Sequence, residues 1–274
     1  MSFQTVLDRE RDIAVNSATR SGRRSADTAA GKRPRFWTLR RVSTPIVVVL
    51  VLVALYLWVG SITIDTIMAR TLNWDYIGLR TKEHLTLTFS AAFLVTILAI
   101  PTGIVASRTT SRVLRGAILT IANIGQATPA IGFIILLAII WQIGFQTALV
   151  ALVAYSFLPV LRNTMIGLAQ IDPNVTESAR GMGMTPNQVL RRIELPLAVP
   201  VILAGLRTSL VFCVGVATVA TFINAGGLGD MIVNGLKLQR FPVLITGAVI
   251  VSCMALMIDW VAGLAEDLLR PKGI

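Results

Sequence analysis

Gln170-Ile171-Asp172-Pro173-Asn174-Val175-Thr176-Glu177-Ser178-Ala179-Arg180-Gly181-Met182-Gly183-Met184-Thr185-Pro186-Asn187-Gln188-Val189-Leu190-Arg191-Arg192-Ile193-Glu194-Leu195-Pro196 is a polar island between apolar stretches. Its local signals describe two short helices joined by a glycine turn. Asp172 is placed to cap the first, with Pro173 at the first helical position, where a missing N–H costs nothing. Gly181 and Gly183 stop that helix. Thr185, followed by Pro186 and by Gln188 three residues after the cap, makes a capping box for the second helix. Val189, Leu190 and Ile193 give it an apolar side and Arg191 and Arg192 a charged one. Pro196 is expected to end it. Such a pair, lying outside a membrane, has a shape suited to docking into a partner's groove.

Composition supports the membrane. Apolar residues make up 54% of the chain and charged ones 14%, and the mean hydropathy is +0.74. A soluble domain of this size could not hide that much apolar surface in one core. The two cysteines, Cys213 and Cys253, lie inside apolar runs and read as reduced packing residues.

A bilayer is crossed by helices of about 20 apolar residues, because each backbone polar group must be satisfied internally. Six candidates follow: Pro45 to Ile64, Leu85 to Val105, Leu114 to Ile143, Thr147 to Leu161, Leu197 to Ile223 and Val243 to Leu264. The third is long enough to tilt, break or re-enter, and Gln126-Ala127-Thr128-Pro129-Ala130 is where it can be interrupted. The fourth closes at Pro159 and Arg162. The expectation is an all-α integral membrane protein: a basic, disordered tail over 1–44, a first uncleaved helix over 45–64, a core over 84–264 containing the loop 170–196, and a short tail over 265–274.

Charge orients the spans. Met1 to Arg41 holds ten Lys or Arg against four Asp or Glu, and the second connection holds Arg108, Arg112 and Arg115 with no acid. Both are expected on the cytoplasmic side. Six spans then place the polar island and both termini in the cytoplasm. Lys237 and Arg240, on an external connection, count mildly against this. The net charge of +11 is thereby explained by tail and loops facing anionic lipid, and nucleic acid is not an expected partner.

Smaller signals have plainer readings. Gly226-Gly227-Leu228-Gly229 turns the backbone at the outer end of a helix or lines a pathway, and no phosphate-binding Gly-x-x-x-x-Gly-Lys-Ser/Thr occurs in the chain. His84, the one histidine, is expected to be solvated or at the headgroups. Arg207 and Asp259 snorkel, pair with one another or make a gating contact. Without a cluster of nucleophiles, metal ligands or paired carboxylates, no catalytic residue is expected and the chain does not read as an enzyme. The near absence of other charges in the spans disfavours a secondary carrier or channel.

Glu177, Ala179, Gly183, Ile193, Leu195 and Pro196 fall at the spacing of the EAA loop of ABC-importer permeases, with Ser178 in place of the middle alanine. Leu158-Pro159-Val160-Leu161-Arg162-Asn163-Thr164, Ala179-Arg180-Gly181-Met182-Gly183-Met184-Thr185, Glu194-Leu195-Pro196-Leu197-Ala198, Ala204-Gly205-Leu206-Arg207-Thr208 and Ala225-Gly226-Gly227-Leu228-Gly229-Asp230 resemble the glycine betaine/carnitine/choline branch of that family from about His84 to Leu264. The resemblance implies the type I importer permease fold in a bacterial inner membrane. It implies that Glu177, Ser178, Ala179, Arg180, Gly181, Gly183, Ile193, Leu195 and Pro196 meet a separate ATPase, which would hold ATP and Mg, this chain binding no cofactor. It also implies a second permease copy or paralogue and an extracytoplasmic solute-binding protein. A quaternary amine is the expected cargo; another small solute, such as an amino acid, phosphonate or sulfonate, stays open. The aromatics Phe89, Phe93, Phe133, Tyr155, Phe157, Phe212 and Phe222 are scattered along the spans, so an aromatic cage is expected in the receptor. This chain is left with a weakly selective pathway at Gln126, Thr128, Asn224, Gly226 and Gly227.

Overall fold

The computed structural model describes residues 39–269, with side chains from Val42 onward. Most of the basic tail and residues 270–274 lie outside the described residues, and so does the tail's expected disorder. The chain divides into two units, Met1–Val42 and Ser43–Ile274. Of the first, only the opening of α1 is described.

In order the helices are α1 (Leu39–Ser61), α2 (Thr66–Ala69), α3 (Trp74–Arg108), α4 (Arg112–Ala127), α5 (Ala130–Ile140), α6 (Phe145–Ala169), α7 (Pro173–Gly181), α8 (Pro186–Val189), α9 (Leu195–Ala217), α10 (Gly229–Lys237) and α11 (Phe241–Leu269). A π-helical turn, Leu190–Glu194, joins α8 to α9, and a 3-10 turn, Val219–Ile223, follows α9. Among the described residues five helical segments are long and apolar enough to cross a membrane, and a sixth span results if α4 and α5 count as one. That pair is bent by 101°. Thr128 is extended ahead of Pro129, which lacks the N–H a continuing helix needs.

The bundle is organised around α6. Gly103 of α3 and Gly205 of α9 both lie against it, so close that a Cβ would come within 2.7 Å of Thr164 Cβ and 2.6 Å of Asn163 Cβ respectively. Lipid supplies no hydrophobic drive between helices, so close backbone approach at small residues is what holds them. Leu87, Leu152, Ile134 and Cys213 fill one buried cluster and Val95, Leu158 and Leu161 another. Cys213 and Cys253 are free thiols.

Several boundaries differ from those the sequence suggests. The second span begins at Trp74, not Leu85, because Asn73 caps it through the Tyr76 N–H at 2.8 Å and its polar first turns carry an Arg80–Glu83 pair at 2.9 Å. The fourth span does not close at Pro159 and Arg162; it runs through both to Ala169. Arg162 instead bonds Asn123 Oδ1 on α4 at 2.7 Å. Pro196 does not end the second loop helix. It sits in the first turn of α9, just after the π-helical turn, where the Leu195 N–H reaches back to the Leu190 carbonyl. The widened turn accommodates the missing N–H. The fifth span stops being α-helical at Ala217, short of Ile223, and the sixth runs from Phe241 to Leu269, so residues 265–269 belong to a helix and not to a tail.

Candidate functional site

Chain direction places chemistry at both ends of the bundle. The end of α3, the end of α6 and the start of α9 meet at the loop end, where α7 and α8 lie. The start of α3, the start of α6 and the turn after α9 meet at the far end.

At the loop end the local signals of the sequence are realised. Asp172 accepts from the Asn174 N–H at 2.9 Å, with Pro173 in the first turn. Both bonds of the Thr185/Gln188 capping box form. Helix α7 closes with the Gly183 N–H on the Arg180 carbonyl at 2.9 Å and the Met184 N–H on the Ala179 carbonyl at 3.2 Å. This paired closure needs a left-handed residue after the cap, and Gly183 supplies it with φ +82°.

Of the EAA-spaced residues, Ala179 is buried, Ile193 and Leu195 are half-buried, and Glu177, Ser178, Arg180, Gly181, Gly183 and Pro196 are exposed. Met182, at 75% exposure, stands beside them. The loop thus anchors one side on the bundle and presents a mixed charged and apolar side outward. Arg180, Arg108, Arg115 and Glu194 line a recess of about 440 Å³. Arg115 holds the end of α3 by donating to the Ala106 and Thr109 carbonyls at 3.0 and 2.9 Å. Arg108 forms an ion pair with Glu194.

At the far end Asn224 is left-handed, with φ 56°, and Gly226 and Gly227 follow with φ +79° and +92°. The turn role is therefore real, and a second role accompanies it. Glu83 Oε2 accepts the Gly227 N–H at 2.9 Å. Arg80 bridges Glu83 and Asp230, each at 2.9 Å, and lies 4.9 Å from the centre of the Tyr76 ring. Asp230 also accepts from Tyr76 and Thr221 at 2.6 and 3.1 Å.

His84 is neither solvated nor at headgroups. It is fully buried; its Nδ1 accepts the Leu228 N–H at 3.3 Å and its Nε2 bonds the Val214 carbonyl at 3.0 Å. An acceptor at Nδ1 leaves the proton on Nε2. The expectation failed because His84 lies inside α3, not on an approach to it. Arg207 and Asp259 pair, at 2.5 Å through Nε and 2.6 Å through the second guanidinium nitrogen, and Glu266 lies 3.6 Å away. Arg240 finds Asp65 at 2.8 Å, which offsets the positive charge of that connection.

A second recess of about 440 Å³ opens at the far end between Arg80, Lys82, Glu83, Phe145, Asn224 and Gly226. It brings together Asn224 and Gly226 of the expected pathway. Gln126 and Thr128 are not among its walls; they sit at the α4–α5 break, where Thr128 Oγ1 donates to the Ile124 carbonyl at 2.8 Å. Sequence reasoning missed Glu83 and Phe145 here. The signal for Glu83 was its polar helical turn, and Phe145 follows Gly144, whose φ is +120°.

The comparisons agree with this architecture. Residues 99–271 match the family described as binding-protein-dependent transport system inner membrane component. The choline transport system permease protein OpuBB of Bacillus subtilis (strain 168) is 43% identical over 71% of this chain and 89% of its own length. The osmoprotectant import permease protein OsmY of Salmonella typhimurium is 38% identical over 81% and 92%. Among solved structures, an inward-facing MetNI methionine ABC transporter superposes with a TM-score of 0.64 at 22% identity, over 76% of this chain and all of that one. At that identity it shows the fold alone. A multi-span bundle of this fold, matched over most of its length by permease subunits, belongs to the family of inner-membrane components of binding-protein-dependent transport systems.

Proposed function

We propose that this chain is the membrane-spanning permease subunit of an ATP-driven importer of quaternary-amine osmoprotectants such as glycine betaine, choline and carnitine. The observation that supports the coupling role is the loop 170–196. Its buried Ala179 and capped ends hold a rigid helix pair, and its outer side offers Glu177, Ser178, Arg180 and Gly183 to a partner. The names of the relatives at 38–43% identity support the cargo class.

In this reading the loop end faces the cytoplasm, with both termini. Two ATPase subunits, holding ATP and Mg, dock on the loops of two permease copies or paralogues, and a soluble receptor delivers cargo at the far end. ATP-driven closure draws the loops together. Because α8, the π-helical turn and α9 run without a break into the bundle, that motion reaches the transmembrane helices as displacement of a rigid element.

Purification of the tagged chain from its native membrane, identification of co-purifying proteins and labelled-solute uptake test this together. An ATPase and a quaternary-amine receptor should co-purify, and deletion should reduce betaine or choline uptake at high osmolarity. A receptor that binds an amino acid, phosphonate or sulfonate and ignores quaternary amines would overturn the cargo; absence of any ATPase would overturn the coupling role.

A further inference from the structure

The far-end recess carries unspent chemistry of both signs. Arg80 is held between Glu83, Asp230 and the Tyr76 ring through its two terminal nitrogens. Glu83 uses one oxygen, Oε2, for both Arg80 and the Gly227 N–H, leaving Oε1 without a hydrogen-bond partner among the described residues. Lys82 is exposed, and its side-chain ammonium has no hydrogen-bond or ion-pair partner among the described residues. Asn224 is exposed, and its side-chain amide has no hydrogen-bond partner among the described residues. Phe145 contributes an aromatic wall. Two cations, Arg80 and Lys82, stand against two carboxylates, Glu83 and the Asp230 behind it, so the region is neutral overall with its charges separated.

That pattern suits a small solute that is itself neutral with separated charges. A quaternary ammonium has no N–H to donate, and is held by a carboxylate's field and by the face of an aromatic ring. A solute carboxylate needs an ammonium or amide donor. The recess, at about 440 Å³, falls within the roughly 300–1,000 Å³ of small-molecule sites.

We infer that this recess is a receiving site for zwitterionic cargo on the permease itself, with Lys82 and Asn224 meeting the solute carboxylate and Glu83 Oε1 and Phe145 the quaternary ammonium. The inference rests on the osmoprotectant reading above and adds to it a specificity element outside the receptor. Gly226 is part of the device. A Cβ there would fall 2.4 Å from Glu83 Oε2, so glycine lets the carboxylate approach the turn at the edge of the recess.

The test uses the complete transporter in proteoliposomes with its receptor saturated, comparing glycine betaine, which has a carboxylate, with choline, which has none. Lys82→Ala is a change at an exposed side chain. It should lower the betaine rate at least about tenfold while leaving choline within about twofold, the loss of one charge-assisted bond. Phe145→Leu should lower both by about three- to tenfold, as loss of a cation–ring contact does. Receptor affinity and receptor-stimulated ATP hydrolysis should stay as in the unsubstituted transporter.

An unchanged betaine-to-choline ratio in Lys82→Ala would overturn the proposal alone. So would equal loss of both cargoes together with lost receptor-stimulated hydrolysis, which would make the recess a receptor contact. An unsubstituted transporter that imports no quaternary amine would instead overturn the cargo reading, and this inference with it.

Discussion

Arg108, at the end of α3, forms an ion pair with Glu194, the last residue of the π-helical turn, across 86 positions of sequence. The Glu194 side chain is 14% exposed and that of Arg108 36%. The pair therefore ties the root of the 170–196 loop to a helix that reaches the far end of the bundle. Arg108→Ala should leave Glu194 half-buried and unpaired, at a cost of about 1–3 kcal/mol. At matched membrane abundance, uptake should fall severalfold, and the Arg108→Glu/Glu194→Arg double variant should recover part of it. A double variant as impaired as the sum of its singles would show that the two charges act separately.

Gly183 carries φ +82° with nothing within 4 Å of where a Cβ would stand. Inside this chain the position is constrained by backbone conformation and not by space. A non-glycine residue held there loses roughly 1–2 kcal/mol, and a β-branched one is the least suited. Gly183→Val should insert normally but lose ATPase association and uptake, whereas Gly183→Asn, which tolerates the left-handed region, should retain more of both. Glu177 is exposed and has no partner among the described residues, so Glu177→Lys should leave the fold alone and lose uptake through the partner. Normal uptake by Gly183→Val and Glu177→Lys at normal abundance would remove the loop from the coupling role.

The loop was legible in the sequence because its determinants are local. Asp172, Thr185 with Gln188, and Gly183 each act within five residues of themselves. The mutual pairing of Arg207 and Asp259 was one of the readings open from charge alone, since two charges in apolar helices need partners. What stayed hidden depends on distant chain. The polar turn Arg80–Glu83 looks like a loop until Asp230 and Gly227 are brought to it. Pro196 looks like a terminator until a π-helical turn absorbs its missing N–H. Phe145 gains meaning only beside Asn224 and Glu83, which no spacing rule connects.

The buried His84 joins α3 to α9 and to the Gly226–Gly227 turn by two hydrogen bonds spanning 130 and 144 positions. His84→Ala would strand the Leu228 N–H and the Val214 carbonyl and open a cavity, together costing roughly 2–5 kcal/mol. The purified complex should melt several degrees lower, and His84→Gln, which can both donate and accept, should recover part of the loss. Gly227→Ala should behave like His84→Ala, because its Cβ would meet His84 Nδ1 at 3.1 Å on a residue with φ +92°. Melting of both variants at the original temperature would mean that this junction does not hold the far end together.

Orientation is tested by accessibility, and the geometry makes the test clean. Asn174 lies exposed at the loop end and Asp75 exposed in the first turn of α3 at the far end. The native thiols Cys213 and Cys253 are buried, so they contribute little background. The proposed orientation puts the loop end in the cytoplasm on the charge pattern, Arg108, Arg112 and Arg115 crowding that side without an acid among the residues between α3 and α4. In intact cells a membrane-impermeant thiol reagent should therefore label Asp75→Cys and spare Asn174→Cys, and permeabilised cells should label both. Labelling of Asn174→Cys from outside would invert the topology. It would also end the coupling argument, because a loop facing away from the cytoplasm cannot meet an ATPase.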